Sequence, residues 1–230
     1  GIPLIYGILG LALFSALYSI YGGLKSVAWT DFIQVGFLIV GGLITSYVAL
    51  SAVADHYGVK GPLAGLIEMF HHFPDKFDMI LQKGQIMVPD GEGGTRDAFK
   101  DIPGISVLVG GLWVASFFYW GFNQYVIQKG LAAKNIKQAQ RGLAFAGYLK
   151  LLVPLIVVVP GIAAYVLTDG NLSPSDKASP YVLQMVPVGV RGVAFAALVA
   201  AIVSTLAAIL NSTSTIFTID IYKHFINKDL

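Results

Sequence analysis

Residues 200–218 read AAIVSTLAAILNSTSTIFT. The run is apolar and helix-forming, yet Ser204, Thr205, Asn211, Ser212, Thr213, Ser214, Thr215 and Thr218 all carry side-chain oxygens. At helical spacing Ala201, Ser204, Thr205, Ala208, Ser212 and Thr215 share one face, with Asn211 beside them, while Ile202, Val203, Leu206, Ile209 and Leu210 lie mostly elsewhere. The Ala201 carbonyl then sits close to hydroxyls three and four residues on, which puts up to three oxygens within one turn. Hard cations such as Na⁺ take oxygen ligands, and a second helix would complete the shell. Close helix packing produces the same pattern, because small and hydroxylated residues let membrane helices approach and hydrogen-bond. Spacing alone leaves both readings open.

Three other stretches carry chemistry inside apolar surroundings. Lys150 lies in GYLKLLVPLIVVVPGIAAYV, and a charge at the centre of a membrane helix costs about 2.5–3.5 kcal/mol on insertion scales. An ammonium there either faces a wet cavity, where it would donate to hydroxyls or a carboxylate, or snorkels about 10 Å to the span end. GGLWVASFFYWGFNQYVIQKG (110–130) is dense in aromatic rings. Tyr125 suits an interfacial belt. Tyr119 and Trp120 lie deeper, followed by Gly121, Asn123 and Gln124. A flat ring beside amides fits a sugar, whose CH face wants apolar contact and whose hydroxyls want hydrogen bonds. Gly121 is a candidate break in the helix, a frequent feature of transporter sites. Asp31, in VAWTDFIQ, stands where a span begins; it is either a helix cap or an acid at the mouth of an ion path.

These residues must be positioned by helices in lipid. The chain has 230 residues, 56% hydrophobic and 12% charged, with mean hydropathy +0.72. Soluble domains carry about a quarter charged residues. A larger core cannot absorb the difference, since a chain this size must still cover itself with polar surface. A net charge of +2 argues against nucleic acid as a partner. The absence of cysteine excludes disulfides, thiolate metal sites and cysteine nucleophiles. The missing initial Met and an end just past an apolar segment read as a fragment of a longer protein, and no signal peptide is visible.

A bilayer core about 30 Å thick needs about 20 apolar helical residues. Five stretches qualify, at about 2–22, 32–54, 104–128, 143–167 and 189–218, within a single transmembrane domain spanning 1–230. Lys129, Lys134, Lys137 and Arg141 follow the third span, Lys25 follows the first, and Lys223 and Lys228 follow the fifth. Alternating helices place all of these on one side, which is therefore cytoplasmic. The polar 55–103 segment becomes an extracytoplasmic loop containing a short helix in GPLAGLIEMFHHF (61–73), and a Pro- and Ser-containing loop runs over 168–187. His71 and His72 are adjacent, whereas helical metal ligands sit at i and i+4, so a surface role suits them. No span carries paired carboxylates, a metal-binding His cluster or a nucleophile–base pair, which disfavours an enzyme.

Four stretches in order, YSIYGGLKSVAWTDFIQ (18–34), GGLWVASFFYWGFNQYVIQ (110–128), FAGYLKLLVP with PGIAAYV (145–166), and AAIVSTLAAILNSTSTIFTIDIYK (200–223), closely resemble the sodium/solute symporter family, and within it the sodium/galactose branch. The resemblance covers all but the 55–103 and 168–187 loops. It implies an all-α integral membrane protein of leucine-transporter type, with two inverted five-helix repeats, of which this fragment holds core helices four to eight. It further implies sodium ligation by the Ala201 carbonyl, Ser204 and Thr205 against core helix one, with Asp31 on the sodium exit route. Tyr119 becomes an aromatic gate stacked on the sugar ring beside Trp120, and Lys150 a donor to sugar hydroxyls. Where the branch carries an Asn that contacts sugar, this chain has Ser116, a shorter group that can reach through water.

The expected protein is a multi-pass symporter of a plasma membrane, the bacterial inner membrane. Na⁺ is its coupling ion, it has no other cofactor, its partners are Na⁺, a sugar and the bilayer, and homo-oligomerisation is left open. Rival readings are a symporter for another small solute such as a carboxylate, which Lys150 would also suit, and a solute sensor built on the same fold.

Overall fold

A computed structural model describes residues 3–78, 80–90, 94–101, 104–172 and 175–228. Residue 2 of the first expected span, residues 79, 91–93 and 102–103 of the expected outer loop, and residues 173–174 of the 168–187 loop lie outside the described residues. The chain divides into two compact units, Gly1–Ala49 with Gln124–Leu230, and Leu50–Asn123. Among the described residues the protein is mostly helical, with three helices long and apolar enough to cross a membrane, or four if a pair bent by 80° within 98–122 is one span.

The first of these, α1 (Leu4–His56), has 53 residues. At 1.5 Å per residue it would reach about 80 Å, far more than a bilayer core. Gly23 interrupts it at φ 56°, ψ −168°, a backbone region open essentially to glycine alone. Segment 23–31, expected to connect two spans, is thus helical except at Gly23, and both Lys25 and Asp31 stand on helix. The Thr30 hydroxyl turns back onto the Ser26 and Val27 carbonyls at 3.1 and 3.0 Å, which satisfies it inside the helix. Apolar residues surround α1 instead of forming one stripe. Leu4, Ile8, Leu9 and Phe14 point to different sides and are all exposed, as suits a helix solvated by hydrocarbon.

The rest of this unit begins with α5 (Gln124–Leu131), which packs on α9 (Val188–Ile216). The following α6 (Ile136–Lys150) opens on Asn135, whose side chain accepts from the Gln138 amide at 3.0 Å. After Lys150 the chain passes through a widened turn at Pro154–Val158 into α7 (Val159–Leu167), and 136–167 together form a candidate span. The 168–187 segment is not all loop: it holds α8 (Ala178–Met185), which packs on α7 and α9 with Val182 buried. Pro180 is tolerated in its first turn, where an unpaired N–H is expected anyway, and Pro187 stops the helix soon after.

Helix α9 is the hub of this unit. Ala194, Ala197, Ser204, Ala208 and Ser212 are buried along one face at helical spacing. Ala207 and Ala208 pack with Val27 of α1, bordered by Tyr18 and Tyr125. Side chains also bond to backbone across these contacts: Ser19 donates to the Ala207 carbonyl at 3.3 Å and Gln128 to that of Ala208 at 3.1 Å. Small residues let the backbones come this close.

In the second unit, α2 (Pro62–His72) forms in the segment expected to hold a short helix. A Cβ on Gly65 would lie 2.2 Å from the Leu50 carbonyl, so only glycine permits this approach. His72 stacks on Tyr57 at 4.5 Å. Strands β1 (Met87–Pro89) and β2 (Thr95–Asp97) pair antiparallel, with Met87 opposite Asp97. The Asp97 carboxylate accepts the Phe99 and Gly84 amides at 3.0 and 2.7 Å, and these donors hold its pKa below the usual aspartate value. The aromatic stretch forms α3 (Ile105–Val109), α4 (Gly111–Phe117) and a widened π-type turn at Phe118–Phe122.

Candidate cation and solute sites

The hydroxyl face of α9 divides between two tasks. Ala194, Ala197, Ala207 and Ala208 are packing residues. One turn away, Ala201, Ser204 and Thr205 line a cavity of about 230 Å³ together with Asp31, Gln34, Val35 and Leu38 of α1 and Tyr125 and Lys129 of α5. Four residues singled out from the sequence, Ala201, Ser204, Thr205 and Asp31, therefore meet around one cavity within one unit.

The local geometry favours oxygens over protons at this cavity. Thr205 Oγ1 donates to the Ala201 carbonyl at 2.9 Å. Its proton is thus committed to the backbone, which leaves the hydroxyl lone pairs available. Ser204 is buried, and its hydroxyl makes no hydrogen bond among the described residues. Asp31 binds the Lys129 ammonium through Oδ2. Asp31 Oδ1 and Gln34 Oε1 are both buried and accept no hydrogen bond among the described residues. A buried acceptor without a donor is unfavourable by about 1–3 kcal/mol, so both oxygens call for a hydrogen-bond donor or a cation.

The residues marked for sugar are distributed differently. Ser116 and Trp120 line a cavity of about 480 Å³ with Trp113, Phe117, Gly121 and Phe122. Tyr119 is not in its lining, but its ring meets Trp120 edge-on at 5.3 Å. The turn carrying them ends at Asn123, whose backbone is extended, so the helix breaks two residues after Gly121. Single widened turns within helices occur frequently at functional sites. Lys150 is the exposed last residue of α6 and belongs to the other unit.

Sequence reading missed Lys129, Gln34 and Gln128 as site or packing residues. In the sequence Lys129 stands out only as one of the basic residues that set orientation. Gln34 stood three residues after Asp31, a helical neighbour, and that spacing was the available signal.

A family model described as sodium:solute symporter family matches residues 1–230. The chain belongs to the sodium:solute symporter family. This family member is 52% identical over 245 residues to a sodium/glucose cotransporter of Vibrio parahaemolyticus, covering all of the chain and 42% of the relative. It is 31% identical to mouse sodium/myo-inositol cotransporter 2, over 97% of the chain and 35% of the relative. It is also 32% identical to an uncharacterized symporter, YidK, of Escherichia coli, over 96% of the chain and 35% of the relative. The chain thus spans less than half the length of these curated relatives.

Proposed function

We propose that this chain is part of a symporter that couples inward sodium movement to uptake of an uncharged polyhydroxylated ring, a sugar of glucose or galactose type, by alternating access. The carrying observation is the cavity that gathers Ala201, Ser204, Thr205 and Asp31. On this reading Ala201 O, Ser204 Oγ and Thr205 Oγ1 supply one side of a sodium shell, and a further helix supplies the other. Asp31, bordering the same cavity, attracts the ion as it leaves toward the cytoplasm. In the second unit Ser116 and Trp120 face a solute and Tyr119 stacks on a sugar ring; for Lys150, in the other unit, a donor role toward sugar hydroxyls is proposed separately.

The substrate class draws on relatives named for glucose and for myo-inositol, both rings studded with hydroxyls. The fold proposed is the leucine-transporter type, with α1 read as two spans meeting at Gly23 and the five spans as core helices four to eight. The 55–103 segment then lies outside a bacterial inner membrane. Ion and solute favour one another's states, so their affinities rise together and by the same factor.

The test is uptake of labelled glucose, galactose and myo-inositol by the full-length protein in liposomes, with and without an inward sodium gradient. The expected result is accumulation of at least one of them only with the gradient. Equal uptake without sodium, or no movement of any of the three, would overturn the proposal.

A further inference from the structure

We infer that the Asp31–Lys129 ion pair is a charged partition between two cavities, and that Lys129 is a tethered cation whose departure from Asp31 opens the hydroxyl-lined cavity. The inference rests on the sodium reading only for what drives the opening.

The pair joins α1 to α5. Asp31, Val35 and Lys129 border the cavity of about 230 Å³ that contains Ser204 and Thr205. The same three residues border a second cavity of about 550 Å³, walled mainly by apolar groups including Phe32, Gly36, Phe145 and Leu149. The ion pair therefore stands in the wall that the two cavities share. Asp31 is withdrawn, with its side chain 16% exposed, while that of Lys129 is 38% exposed. The more accessible partner is also the one with the long flexible stem and rotatable donors.

The structure also offers the ammonium a second acceptor. Gln34 lies one turn from Asp31 on the same helix, borders the same cavity, and keeps a buried carbonyl oxygen that accepts no hydrogen bond among the described residues. Asp31 Oδ1 is in the same condition. A cation arriving from the Ser204 side is drawn to Asp31 and repels the ammonium already there. Lys129 shifts to Gln34, the carboxylate exchanges one cation for another, and the partition opens. Where Lys129 is removed with no cation in its place, Asp31 is an uncompensated charge among apolar groups, a condition that draws in water and opens the partition by the other route.

The test uses the full-length protein on a cysteine-free background with Leu38→Cys, a reporter that borders the hydroxyl-lined cavity but not the larger one. The measurement is its rate of modification by a water-soluble thiol reagent. Lys129→Met, which keeps length and removes charge, is expected to speed modification several-fold. Exchanging the charges, Asp31→Lys with Lys129→Asp, is expected to restore the slow rate. An unchanged rate in Lys129→Met, or an equally fast rate in the exchanged pair, would overturn the inference. Gln34→Leu gives an independent arm that keeps the pair intact: sodium should accelerate modification in the parent and much less in this variant. Equal acceleration in both would remove Gln34 and count against the inference. If Lys129→Met accelerates modification while sodium has no effect in the parent, the partition stands and the sodium reading falls.

Discussion

The Ser46 hydroxyl of α1 donates to the Leu155 carbonyl at 2.7 Å, although 109 residues separate them in sequence. The reason lies in the widened turn at Pro154–Val158, where backbone bonds run five residues forward, as from the Val159 amide to the Pro154 carbonyl. The next bond in that pattern would need an N–H from residue 160, which is a proline. Leu155 O thereby loses its partner in that pattern, and Ser46 satisfies it. Ser46→Ala should lower stability by about 1–3 kcal/mol, read as reduced thermal unfolding temperature in detergent.

Close approach at the same place gives a second expectation. A Cβ on Gly42 would lie 2.1 Å from Ile156 Cγ2. Gly42→Ala should therefore destabilise by about 1–3 kcal/mol through overpacking. Adding Ile156→Ala should recover part of that loss, a coupling that a double-mutant cycle measures directly.

Lys150 offers a split between roles. If its ammonium donates to sugar, Lys150→Ala should weaken sugar binding strongly while sodium still binds in the absence of sugar. Wild-type sugar affinity in that variant would assign the side chain to the membrane surface instead.

Tyr119 separates stacking from hydrogen bonding. Its ring packs edge-on against Trp120, and contact with the CH face of a sugar needs the ring and not the phenol. Tyr119→Phe should keep sugar binding near normal, whereas Tyr119→Ala should weaken it about tenfold, or about 1.4 kcal/mol. Equal damage from Phe and Ala would assign the role to the hydroxyl.

The hairpin outside the spans carries a pH dependence. Amide donors from Phe99 and Gly84 stabilise ionised Asp97 and lower its folded pKa. Its contribution is present above the unfolded aspartate value, about 3.9, and is lost as pH falls from there through the lower folded value. The Phe99 and Gly84 amide resonances should shift together over that window, and not in Asp97→Asn.

Much of this was legible in the sequence because it rests on composition and period. The apolar runs at 143–167 and 189–218 fall within candidate spans, and helical spacing brought Ala201, Ser204 and Thr205 to one face. Boundaries were less legible where a single residue decides. The segment 23–31 is expected to connect two spans, but it holds no proline, so the helix resumes directly after Gly23 and absorbs 24–31. Helix α8 was hidden because its segment is short and interrupted by Ser and Pro, while its burial against α7 and α9 depends on tertiary contacts. The Asp31–Lys129 pair joins residues 98 positions apart, and no local pattern encodes that.

The measurement that bears most directly on the central claim is sodium binding by the full-length protein carrying Ser204→Ala or Thr205→Ala. Alanine suits a membrane helix, so both variants should insert and fold. The account predicts that each hydroxyl loss raises the half-saturating sodium concentration about tenfold, the equivalent of about 1.4 kcal/mol, with sugar uptake losing its sodium dependence in parallel. Unchanged half-saturation in both variants would contradict it and leave the hydroxyl face of α9 to helix packing alone.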